Sequence, residues 1–200
     1  MILDVAQLAL GLVFAGSAWA KLREPRRFVE EVRGYAVLPR PAVTPFAWVV
    51  MALEPAVALA LLTGVAAGPG AAACAALLAT FAVAVAVVLR RGADVSCGCF
   101  GADDERVSRA TAVRLAVLSV PAWALAIATL SAGHAPLTLG WVVENGAAGA
   151  ERFVVAGALA SAALVAATIA ASARPLVALW RAQRFSANVE PSVPPAGGAA

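Results

Sequence analysis

Two hundred residues that are 62% hydrophobic and only 14% charged, with a strongly positive mean hydropathy, exclude a soluble single-core domain. The formal charge of +3 calls for no nucleic-acid partner, because the basic residues stand beside apolar runs, and three cysteines are too few for a secreted disulfide scaffold. Runs of about 18 or more apolar residues mark transmembrane helices, so the expected fold class is all-α, a polytopic membrane helical bundle.

The first span covers about residues 2–20. Its end, Ala18-Trp19-Ala20, has the small-residue pattern of a signal-peptidase site, but a signal peptide wants a positive n-region. The segment leading into this run carries only Asp4, so the run is read as a retained helix. Gly11 and Ala15, with Gly16 next, are small residues that would let helices approach closely. Next comes a basic segment with Lys21, Arg23, Arg26, Arg27, Arg33 and Arg40. Within it Pro25 opens an amphipathic helix of about 25–37, with Phe28, Val32 and Tyr35 on one face, expected to lie on the membrane.

The second span, about 43–62, is interrupted by Glu54-Pro55. An uncharged turn leads to a third span of about 71–89, with Cys74 near its start. A polar loop precedes the fourth span, about 110–130, which contains Arg114 and Pro121. These spans make up residues 1–131, the expected four-helix core. Residues 132–152 read as a connection holding the only histidine, His134, and 153–173 as a fifth transmembrane helix rich in alanine. Residues 174–200 are basic, then rich in proline and glycine, and are expected to be disordered.

Lysine and arginine beside the spans set orientation. They concentrate in the first loop, the polar loop after span three and the segment after span five. That bias places the N-terminus outside and the polar loop in the cytoplasm of a multi-pass protein of a bacterial cytoplasmic membrane.

That polar loop contains Ser96-Cys97-Gly98-Cys99-Phe100-Gly101. A Cys-Gly-Cys bridge closes a small, strained ring that reduces easily, and Gly98 tolerates backbone angles that a side chain would forbid. Such a pair suits thiol–disulfide exchange; zinc is a rival but needs about four ligands, and a merely structural pair is the other reading. Arg90 and Arg91 would favour a thiolate, whereas Asp94, Asp103, Asp104 and Glu105 oppose it. Glu54 is read as the acid inside an apolar span, where a carboxylate needs a partner or a proton. Lys21, the only lysine among fifteen basic residues, ends span one, and Arg114 lies a few residues inside span four. All three can meet beneath the cysteine loop, with snorkelling to the headgroups as the plainer fate of either cation. Cys74 reads as a packed, inert thiol.

In chain order these features resemble the MauE branch of the DoxX-like membrane proteins, from Gly16 to about Arg114. The resemblance rests on Gly16-Ser17-Ala18-Trp19-Ala20-Lys21-Leu22, Tyr35 with Leu38-Pro39, Glu54, Arg90, Cys97-Gly98-Cys99-Phe100-Gly101 and Arg114. It implies a four-helix membrane core and a role in methylamine utilisation or a related periplasmic redox pathway. There, MauE proteins are associated with maturation of the disulfide-rich small subunit of methylamine dehydrogenase, beside a thioredoxin-like partner. It makes Cys97 and Cys99 the redox pair, with Gly98, Phe100, Gly101, Lys21, Glu54 and Arg114 in support. A membrane quinone is the cofactor suggested by the wider group, which is linked with thiosulfate oxidation. Span five and the tail lie beyond the usual core. The implied substrates are periplasmic while the charge bias puts the cysteines inside, so either the pair draws on cytoplasmic thiols or the orientation is inverted.

Three functions compete. The favoured one is a membrane thiol–disulfide oxidoreductase component acting with a thioredoxin-like protein, a redox enzyme or a quinone. The second is a non-catalytic subunit, embedded in lipid, that docks and stabilises such a partner. The third is a small-solute transporter using Glu54 and Lys21. Cysteine substitution separates the first from the others.

Overall fold

The computed structural model describes residues 1–93, 95, 106–131, 137–162 and 164. Residues 1–161 form one compact unit, and 162–200 form a second of which only 162 and 164 are described. The first unit is helical: α1 (Ile2–Arg23), α2 (Pro25–Gly34), α3 (Arg40–Thr63), α4 (Ala67–Arg91), α5 (Arg109–Leu130) and α6 (Leu139–Glu144). A further helix, α7, starts at 146 and runs to 162, where continuous description ends. The segment 132–152, read as a connection, thus contains α6 and the first turns of α7. Its few apolar residues were too short a run to register as a helix beside the long spans.

Among the described residues four helices, α1, α3, α4 and α5, are long and apolar enough to cross a membrane, and with the helical content this makes the chain an all-α polytopic bundle. They pack as a ring: α1 lies on α3 and α5, and α4 lies on α3 and α5. Leu10 and Phe14 of α1, Val57 and Leu61 of α3, Leu78 and Val85 of α4, and Leu115 and Leu125 of α5 fill its centre, with Cys74 fully buried among them. The outer surface is also apolar: Leu59, Val83, Val117, Val120 and Ile127 stand exposed, while Asp4, Gln7, Lys21 and Glu54 are buried. A water-soluble protein distributes these residues the other way; in hydrocarbon the inside is where polar groups find partners.

α3 stays helical through Pro45, and also through Glu54-Pro55, where the sequence suggested an interruption. Neighbouring helices compensate a missing backbone donor in such spans. α3 also begins three residues earlier than expected, and this produces a step. Ser17 and Glu54 lie side by side, yet α1 ends about 9 Å beyond Ser17 while α3 continues about 21 Å beyond Glu54, at 1.5 Å per residue. α2 fills that step. Its apolar face covers protein: buried Phe28 clusters with Ala47, Val50 and Met51 of α3, with Val29 and Val32 alongside.

Small residues act at two close approaches. A side chain on Gly11 would come within 2.8 Å of Leu62, so α1 meets the end of α3 through a bare backbone. At the end of α3, Gly64 has φ +74 and its missing side chain would collide with the Leu137 backbone. Gly64→Ala should therefore destabilise the fold by about 2–4 kcal/mol, combining left-handed strain with overpacking. Chemical denaturation in detergent checks this; a loss under about 0.5 kcal/mol, the level of a neutral surface change, refutes it.

Candidate functional site

Lys21 and Glu54 form a buried ion pair. Helical spacing puts Ser17 and Lys21 on one face of α1, one turn apart. Lys21 Nζ donates to Ser17 Oγ at 2.6 Å and lies 2.9 Å from both Oε1 and Oε2 of Glu54. Ser17 Oγ in turn donates to Glu54 Oε2 at 3.3 Å. Glu54 is 0% exposed and Lys21 4%, so neither charge has water to fall back on. The ammonium also faces the rings of Phe28 and Phe81, at 5.1 and 5.8 Å from their centroids. A compact ammonium can touch both carboxylate oxygens, the serine and two ring faces at once; a planar guanidinium cannot, which gives a reason for the chain's single lysine.

Of the two cations that could have met Glu54, Lys21 does; Arg114 is not among its partners, which are Lys21 and Ser17. The reason is depth. Arg114 lies about 7.5 Å into α5, and Glu54 about 21 Å into α3. Arg114 sits half-buried on α5.

Cys97, Gly98, Cys99, Phe100 and Gly101 lie outside the described residues, as does His134. What flanks the cysteine loop is described. α4 closes at Gly92 in a left-handed cap, and Val107 N–H donates to Val95 C=O at 2.9 Å, pinning the two ends of the loop together. Ser108 then opens α5 through a capping box with Thr111. Arg91 donates to the Ala36 carbonyl at 3.0 Å, and Val95 packs against Gly34. Both ends of the loop are therefore at the same end of the bundle as α2 and the C-terminus of α1.

Between α2, α3 and α4 lies a cavity of about 400 Å³. Phe28, Tyr35, Phe46 and Phe81 line it, Lys21 forms part of its wall, and the remaining lining is mostly aliphatic. A second, polar hollow of about 330 Å³ opens on the other side of Phe28, lined by Arg23, Glu24 and Arg27, and it shares Lys21, Phe28 and Glu31 with the first. Lys21 and Glu31 are the charged residues of the aromatic cavity's wall.

A second polar site lies at the opposite end of α1. Asp4, taken as leading into the first apolar run, is inside α1 and 0% exposed. Its Oδ2 accepts from Arg152 Nε at 3.0 Å and Nη2 at 2.5 Å, and lies 3.0 Å from the α-amino group of Met1. One turn on, Gln7 Nε2 donates to the carbonyls of Leu61 at 2.7 Å and Leu137 at 3.0 Å, while its Oε1 accepts from Leu137 N–H at 3.3 Å. The Leu61 carbonyl is one of those a helix end leaves without an internal partner. The available signal was spacing: Asp4, Gln7, Ser17 and Lys21 all fall on one helical face, so in this otherwise largely apolar helix the polar residues mark the buried side.

The family model for Methylamine utilisation protein MauE matches residues 1–128. The Methylamine utilization protein MauE of Paracoccus denitrificans is 39% identical over 142 residues, covering 70% of this chain and 76% of that protein. That of Methylophilus methylotrophus is 39% identical over 95 residues, 47% of this chain and half of its own length. No solved structure matches. The buried Lys21–Glu54 pair, the Val107–Val95 bond that joins the ends of the cysteine loop and the four-helix ring thus occur in a chain that belongs to the MauE family.

Proposed function

We propose that this protein serves methylamine utilisation, or a related pathway, as a membrane component of thiol–disulfide exchange that supports maturation of a partner protein. Family membership supports the first half of the reading, since the matching proteins carry methylamine utilisation in their names. The Cys97-Gly98-Cys99 spacing carries the second half. In the exchange, a partner dithiol attacks the Cys97–Cys99 disulfide. The S–S bond of the pair breaks, an S–S bond forms in the partner, and two electrons and two protons end on the two thiols here. A thioredoxin-like disulfide or a membrane quinone would take those electrons and protons to restore the pair. The described flanks favour such an exchange: the Val107–Val95 bond and the Arg91–Ala36 bond hold the loop's two ends against the bundle.

Thiol trapping in intact cells tests this reading. The pair is expected to be found partly oxidised, to equilibrate with a dithiol buffer above about −300 mV, and to react only with membrane-permeant reagents, the side implied by the basic loops. A pair that stays reduced throughout, or that resists dithiols as a structural bridge does, gives the function to the docking-subunit reading. Labelling by an impermeant reagent would invert the orientation without touching the redox assignment.

A further inference from the structure

We propose that the polar hollow between α1 and α2 is a headgroup site for a phospholipid of the phosphatidylethanolamine type, its phosphate at Arg23 and its ammonium at Glu24 and Glu31. The chain turns at Glu24, and α2 then leaves α1 to cover α3 through Phe28. The two helices part from that turn, and a space of about 330 Å³ stays open between them. Each helix lines it with residues about one turn apart: Gly16, Ala20 and Arg23 on α1, and Glu24, Arg27 and Glu31 along α2 and its cap.

The first observation is depth. Gly16 lies about 10 Å before the end of α1, at 1.5 Å per residue, within the apolar part of the span. It is exposed, and a side chain built on it would meet nothing within 4 Å, so this end of the hollow is bare helix facing the bilayer. Trp19, 63% exposed, stands between Gly16 and Arg23. A tryptophan beside basic residues at a span's end marks the level of the headgroups. What fills the space from Arg23 down to Gly16 therefore has a polar head and an apolar body, which a free phosphate or a soluble amine lacks.

The second observation is charge, which selects the head. Lys21 lines the hollow, but its N–H groups already go to Ser17 and to both Glu54 oxygens. The other charged side chains of the wall are Arg23, Arg27, Glu24 and Glu31. Among the described residues Arg23 makes no ion pair; its guanidinium lies 5.2 Å from the centroid of the Trp19 ring. Arg27 reaches Glu24 at 3.4 Å and Glu31 at 3.3 Å. Strong charge-assisted bonds are shorter, about 2.7–2.9 Å, and a carboxylate accepts several donors, so both acids keep room for another cation. Two signs side by side match a head that carries both: a phosphate for the guanidinium and, across a two-carbon link, a primary ammonium for the carboxylates. A trimethylated ammonium lacks the N–H groups that those oxygens accept, and a glycerol head lacks the cation. The hollow includes no residue of the cysteine loop, so this site stands or falls apart from the thiol exchange.

The test is native mass spectrometry of the full chain, released from detergent micelles doped with equal amounts of phosphatidylethanolamine, phosphatidylcholine and phosphatidylglycerol. One phosphatidylethanolamine is expected to stay on each chain, retained about tenfold over either of the others, the effect of one charge-assisted hydrogen bond. Gly16→Leu puts a side chain into the hollow at a position where a Cβ meets no other atom within 4 Å. It should weaken retention about tenfold by filling the space, and leave the helical signal and unfolding midpoint of the parent. Arg23→Gln, at an exposed position, should weaken retention by about the same factor, and it decides alone should Gly16→Leu not fold. Glycerophosphoethanolamine, the same head without acyl chains, should not compete. Equal retention of the three lipids, or retention that either folded variant leaves unchanged, overturns the proposal and leaves the hollow to unselected bilayer lipid. Displacement by the tail-free head overturns it in favour of a soluble phosphate ester.

Discussion

Glu54→Ala is expected to destabilise the bundle by about 3–5 kcal/mol, and Lys21→Met by a similar amount, because each strands a buried charge. Water cannot reach either group, and the attraction that offset the cost of burial is gone. Changing both, Lys21→Met with Glu54→Met, should recover most of the loss, since apolar side chains of similar length often replace a buried pair at little or no cost. Ser17→Ala should cost less, about 1 kcal/mol, since Lys21 and Glu54 still hold each other. Equilibrium unfolding in mild detergent gives the full cycle. If the double variant loses as much as the two single losses added together, the pair is not a coupled unit, and Lys21 and Glu54 are held by other means.

The second large effect concerns activity. The double variant Cys97→Ser with Cys99→Ser should keep the helical signal and unfolding midpoint of the parent and lose essentially all support for disulfide formation in the partner. Stability should hold because the core is made by α1, α3, α4 and α5, and the bond between Val107 and Val95 closes the loop without the cysteines. Loss of function should be complete because exchange needs both sulfurs: one to be attacked and one to leave. In each single variant the remaining thiol should attack the disulfide of the oxidised thioredoxin-like protein, and the resulting mixed disulfide, with no second thiol here to resolve it, should be isolable under non-reducing conditions. Normal maturation with both thiols gone would move the work to another centre and make this chain a docking subunit.

The fold was legible because long apolar runs in a chain with few charges admit one architecture, and the span ends fell within a few residues of the helix ends. The pairing of Glu54 with Lys21 was legible too, from the cost of an intramembrane carboxylate and the presence of one lysine at the right depth. The exclusion of Arg114 was not. Depth along a helix depends on where the helix starts, and the early start of α3 at Arg40 moved Glu54 away from Arg114's level. Asp4 and Gln7 were missed for a different reason. A polar residue at the edge of an apolar run looks like a flank, and their partners Arg152 and Leu137 are more than a hundred residues away. The aromatic cavity could not be read either, since Phe28, Phe46 and Phe81 come from three separate helices. The cysteine motif reverses the pattern: it stands out in the sequence, and the structure describes its flanks.

The ties between α1 and the segment beyond α5 bear on how the protein can be cut and fused. The family match ends at residue 128, which invites a shortened version stopping soon after α5. Such a chain would keep α1, α3, α4 and α5, yet it would strip Asp4 of the Arg152 guanidinium and Gln7 of one backbone partner, and it would uncover Leu8, which packs with Leu137, Ala156 and Ala160. The minimal unit for expression thus extends through α7, and reporters or affinity tags belong after residue 162, where they leave this seam closed.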